Sequence, residues 1–91
     1  MLTTLLDGST TGTGSAVTIN TPEDGAAAYV SGLTSETLDI EYRPTTSDTW
    51  VTILSSVISD DGVSSIHPLP DGQYRAVMSG SSETPVVRLI A

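Results

Sequence analysis

The sequence predicts an all-β domain, a small sandwich of about seven short antiparallel strands. Three observations carry this prediction. Ser and Thr are abundant, Val and Ile are frequent, Phe and Lys are absent and charged residues make up only 15%; that profile suits short strands and polar turns rather than amphipathic helices. The stretch TLDIEYR alternates strictly, with Leu38, Ile40 and Tyr42 on one face and Asp39, Glu41 and Arg43 on the other, as a half-buried strand requires. Turn signals recur every 8–12 residues or so, the spacing of a sandwich or small barrel.

Taken in order, the chain opens with MLTTLL and then runs through DGSTTGTGS, a stretch of Gly, Ser and Thr without an apolar residue. Residues 1–15 are expected to form a flexible arm and linker, with residues 16–91 as the sandwich. Met1, Leu2, Leu5 and Leu6 are apolar residues on that arm. They suit either an edge strand on the protein's own sheet or docking on another chain. AVTIN (16–20) alternates and meets the turn TPEDG. AAAYVSG follows as a strand, because Gly25 and Gly32 bracket too few residues for a stable helix. TLDIEYR, the turn PTTSD and TWVTIL form an antiparallel hairpin over 37–54. A turn at Asp60, Asp61 and Gly62 leads to a short strand from Val63 to His67, closed by Pro68. The last strands run from Tyr74 to Met78 and from Pro85 to Ile90. Leu38, Ile40, Tyr42, Trp50 and Tyr74 are the expected core. In a chain without Phe, the Trp and Tyr rings are the largest apolar groups available to fill it.

The stretch LPDGQYRAV is a corner. In immunoglobulin-like sandwiches a Tyr near the start of a late strand returns its hydroxyl to the backbone just upstream, and a Pro and a Gly ahead of it shape the bend. This favours an immunoglobulin- or fibronectin-like sandwich, with a jelly roll as the alternative, since strand count does not determine strand order.

Composition and motifs exclude several functions. Three Arg against eleven acidic residues give a net charge of -8, which repels phosphate and argues against nucleic acid as a partner. The absence of Cys removes disulfides, thiolate catalysis and Cys-type zinc sites. No apolar run reaches membrane-spanning length, and no basic region followed by an apolar run marks a secretory signal. The expectation is one small domain made in the cytoplasm. His67 is the sole histidine and has no nucleophile or orienting group in a recognisable pattern. Glu23, Asp24 and Gly25, like Asp60, Asp61 and Gly62, lack the alternating acids and closing Glu of a full calcium loop; calcium bridging between subunits is the sharper alternative to plain turn chemistry. GSTTGTG has neither the Lys nor the preceding strand of a phosphate-binding loop. No enzyme and no cofactor are expected.

The polar stretch leading to SAVTI, the hairpin ETLDIEYRPTTSDTWVTI, the corner LPDGQYRAVMSG and the closing strand PVVRLIA together resemble the small β-sandwich virion proteins of tailed bacteriophages, a group that includes capsid decoration or cement proteins. The likeness runs from Ser15 onward. It implies a structural protein on the exterior of a phage head, bound to the major capsid protein at subunit junctions, often as a homotrimer. Under this reading the arm, with Met1, Leu2, Leu5 and Leu6, reaches a neighbouring chain and pairs with an exposed strand edge. Alternatives are a carbohydrate-binding or adhesion module of a tail or fibre, and a neck or connector protein.

Overall fold

The computed structural model describes residues 2–9, 12–20, 25–58, 62–66, 69–80 and 82–90. Eight strands lie among them: β1 (Leu2–Asp7), β2 (Val17–Ile19), β3 (Ala26–Ser31), β4 (Leu38–Arg43), β5 (Val51–Ile58), β6 (Gly62–Ile66), β7 (Gly72–Met78) and β8 (Val86–Ile90). They form two four-stranded antiparallel sheets, sheet I in the order β1-β8-β3-β6 and sheet II in the order β2-β7-β4-β5. The domain is therefore an all-β sandwich. Except for the β4–β5 hairpin, each consecutive pair of strands divides between the sheets. That interleaving is the strand order of a jelly roll, the alternative arrangement, and it corrects the favoured immunoglobulin- or fibronectin-like order of about seven strands, because β1 adds an eighth strand beside β8. The β4–β5 hairpin is closed by a turn in which the Asp48 carboxylate accepts from the Thr45 backbone N–H and hydroxyl.

Period-2 alternation supplies the core. Strand β7 alternates between buried and half-buried residues along its whole length, and Tyr74, Ala76 and Met78 pair in register with Tyr42, Ile40 and Leu38 of β4. From sheet I, Ala28, Val30, Val87 and Leu89 face them, all buried. Of the predicted core, Leu38, Ile40 and Tyr74 are buried, and Tyr42 is half-buried and packs against the cluster. The Tyr74 hydroxyl donates to the Pro70 carbonyl four residues upstream, at 2.5 Å, which is the predicted corner. Tyr42 donates to the Asp71 carbonyl at 2.7 Å and its ring lies 5.0 Å from that of Tyr74, tilted by 50°. Burial pushes the Tyr74 phenol above its ordinary range, with Tyr42 and Asp71 adding to the effect.

The expected flexible arm is corrected by the structure. Residues 2–7 are strand β1, paired antiparallel with β8 at the edge of sheet I. The register shifts between Thr4 and Leu6. This bulge resets the alternation, so that Leu5 and Leu6, consecutive in sequence, are both buried in the protein's own core. Burying each is worth about 1.5–3 kcal/mol, which an unattached arm would forgo. Gly14, farther along the chain, is also tied down, because its N–H donates to the Ala76 carbonyl at 2.9 Å. Leu5 and Leu6 are thus not docking residues. Met1 lies outside the described residues.

Two glutamates join the β3–β4 and β7–β8 connections. The Glu83 carboxylate accepts from the backbone N–H groups of Thr34, Ser35 and Glu36 and from the Thr34 hydroxyl. In return, Oε1 of the buried Glu36 accepts from the N–H groups of Ser82 and Glu83 and from the Ser82 hydroxyl. The bonds that Glu83 accepts, chiefly that from the Thr34 hydroxyl, lower its pKa from 4.5 to about 2. A carboxylate whose folded pKa is depressed contributes stability that is complete above the unfolded value and is lost as pH falls through the folded one. The expected result is a urea midpoint that declines as pH is lowered from 4.5 towards about 2. Glu83→Gln should lower the midpoint at neutral pH and flatten that acid decline; an equally steep decline in the variant would show that other groups cause it.

Candidate interaction face

The sandwich presents two outward faces of different character. On sheet II, polar outward residues of neighbouring strands satisfy one another, while Val51 and Ile53 of edge strand β5 are exposed. Arg75 bonds Glu41 through Nε at 2.7 Å and through its terminal nitrogen at 2.6 Å. Arg43 Nε donates to Gln73 Oε1 at 2.8 Å, and Gln73 Nε2 donates to the Thr18 hydroxyl at 3.2 Å. Trp50, immediately ahead of β5, joins this network. The guanidinium carbons of Arg43 and Arg75 lie 4.3 and 4.4 Å from the centroid of its ring.

Trp50 was expected in the core, and the structure corrects this. The ring is half-buried on the outer face of sheet II, because the register that sets Tyr42 opposite Val51 leaves the residue before Val51 beside outward-pointing Arg43. Each cation–π contact at a partly exposed site is worth about 0.5–1 kcal/mol. Trp50→Ala should therefore leave the domain folded, with a loss of about 1–2 kcal/mol in urea denaturation. A wholly unfolded variant would overturn this placement. The four aromatic residues do not gather in one cleft: Tyr42 and Tyr74 pack together at the corner, Trp50 carries two guanidiniums, and Tyr29 stands on the other sheet.

Sheet I turns a different surface outward. Register places Leu2, Ile90, Ala27 and Ser65 in one row across its four strands, and Thr4, Arg88, Tyr29 and Val63 in the next. Val63 is 68% exposed, Leu2 63%, Ile90 44% and Tyr29 36%. Val86 and Ala27 are half-buried beside them. In the second row, Arg88 sits among these apolar groups, and its Nε is buried without a hydrogen-bond partner. Arg43 and Arg75, by contrast, both have Nε paired to a side chain. Asp7, opposite Val86 at the end of β1, has Oδ1 bound by the N–H and hydroxyl of Ser9, which lower its pKa.

Of the described residues expected to dock on a neighbour, Leu2, Leu5 and Leu6, Leu2 alone is placed on this exposed face. Tyr29, Val63, Arg88 and Ile90 were missed, although their alternation within AAAYVSG, the Val63 strand and PVVRLIA marks one residue in two as outward. What sequence could not show is that β3, β6, β8 and β1 are neighbours. A cleft of about 470 Å³ lies between β1 and the start of β2, lined by Thr4, Leu5, Leu6, Asp7, Gly14, Ser15 and Val17. Among the described residues that line it, Asp7 has the one ionisable side chain. Among the described residues, no three His, Cys, Asp or Glu side chains gather to hold a metal ion. Glu23, Asp24, Asp60, Asp61 and His67 lie outside the described residues, and no helix among these residues is long and apolar enough to cross a membrane. Family models, curated proteins and solved structures contain no match to this chain.

Proposed function

We propose that the chain is a non-catalytic structural protein of a tailed-phage virion, a decoration protein that binds the exterior of the head and stabilises junctions between major capsid protein subunits. The observation that carries this reading is the outer face of sheet I. Contiguous exposed apolar groups mark interaction surfaces in soluble proteins, and here Leu2, Ile90, Tyr29 and Val63 stand on adjoining positions of one sheet in a chain carrying a net charge of -8. A sheet face of this kind suits a broad protein surface. Weak docking repeated over a lattice gains strength when copies are linked to one another, through effective concentration. Jelly rolls recur in viral capsids and also in lectins, so the architecture agrees with the reading without deciding it. The lectin-like alternative is weakened by Trp50, whose ring is already engaged by two guanidiniums and is not a bare platform for a sugar.

Heads prepared without this protein provide the test. The purified chain should co-sediment with them, and Val63→Asp or Ile90→Asp, at exposed positions that leave the core intact, should abolish binding. Undiminished binding by both variants, or none by the parent chain, would end the proposal. Trimerisation belongs to the same reading and is checked by the mass of the free protein; hundreds of copies per particle would separate decoration from a connector role.

A further inference from the structure

We infer that Arg88 is the anchor of this face, and that the surface seated on it presents a carboxylate ringed by aliphatic side chains. This rests on the docking reading above and names the chemistry of its partner. A guanidinium has donors only, and a donor shut away from water without an acceptor loses the solvation it had in the unfolded chain. Arg88 Nε is enclosed by the protein's own atoms, so a docking carboxylate meets the terminal nitrogens at the outer end of the guanidinium. Register fixes Arg88 between Thr4 of β1 and Tyr29 of β3, with exposed Val63 beyond Tyr29 and Ile90 two residues along β8. A planar cation in an apolar setting selects a carboxylate, which can accept from two guanidinium nitrogens at once. Surrounding aliphatic groups exclude water and strengthen the pair.

A second copy of this chain does not meet the requirement. A two-fold axis through the patch would set Arg88 near its own counterpart. Among the described residues, the one carboxylate placed on this face, that of Asp7, lies at its rim with Oδ1 held by Ser9. Each copy would also bring a charge of -8. The fitting occupant is a different protein.

The test uses heads lacking this protein as the probe and compares the parent chain with Arg88→Lys, Arg88→Met and Arg88→Glu. All three variants should fold, as read by circular dichroism and thermal melting, since no hydrogen bond of Nε is lost. Arg88→Met should weaken co-sedimentation tenfold or more, Arg88→Glu should abolish it, and Arg88→Lys should retain part of it. If Arg88→Met binds like the parent while Val63→Asp does not, the anchor is wrong and the docking face stands. If the parent chain does not bind heads, the docking reading falls and the anchor with it. If the parent self-associates and Arg88→Met dissociates it, the occupant is a second copy and the inference is overturned.

Discussion

Replacing Tyr74 by alanine should lower the stability of the domain by about 3–5 kcal/mol, a large share of the roughly 5–15 kcal/mol typical of a folded domain. The ring is wholly buried, packs 5.0 Å from Tyr42, and belongs to a strand that spans the core of sheet II. Its removal leaves a cavity between two sheets that are locked in register and cannot easily collapse into it. Tyr74→Phe separates the two contributions of the side chain. It keeps the ring and deletes the bond to the Pro70 carbonyl, at a cost of about 0.5–1.5 kcal/mol. Urea denaturation followed by far-ultraviolet circular dichroism measures both. If Tyr74→Phe costs as much as Tyr74→Ala, the corner hydrogen bond outweighs packing and the present account of the core is wrong.

Gly72→Ala should be comparably damaging, although it adds only one methyl group. Gly72 has φ of +148°, a backbone conformation that costs a side-chain-bearing residue about 1–3 kcal/mol. A Cβ there would stand 2.6 Å from Tyr42 Cε1 and 2.7 Å from the Arg43 carbonyl oxygen. The oxygen belongs to backbone held by the β4–β7 ladder, so relieving the overlap means shifting the strand pair, for about 1–3 kcal/mol more. Gly62→Ala is the internal comparison, because a Cβ at Gly62 meets nothing within 4 Å; it should be near neutral or stabilising by about 0.4–1 kcal/mol. Equal effects of the two substitutions would remove the steric argument.

The corner shows how far local reading reaches. Pro70, Asp71, Gly72 and Tyr74 act on one another within a few residues, so their arrangement follows from neighbouring side chains and one short hydrogen bond. TLDIEYR was equally readable, since a period of two assigns each residue to one side or the other wherever the strand pairs. Leu5 and Leu6 show the limit. A bulge in β1 exists only against β8, some eighty positions away, and without it one of two adjacent leucines would have faced water. Trp50 failed for a related reason. Its side of the sheet depends on the irregular register between β4 and β5, and its two guanidinium partners come from two different strands. The candidate face was half readable, with the outward positions of each strand visible and the order of the strands not.

By itself, then, the amino-acid order determined where most strands from β2 onward fall, which residues of β4 and β7 face inward, and that Tyr74 closes the corner, because alternation and turn chemistry act over a few residues. Tertiary structure alone decided the interleaved jelly-roll order, the burial of Leu5 and Leu6, the outward placement of Trp50 and the alignment of Leu2, Tyr29, Val63, Arg88 and Ile90 on one surface. Each of these depends on hydrogen-bonded neighbours distant in sequence, and a strand carries no local mark of which neighbour it will pair with.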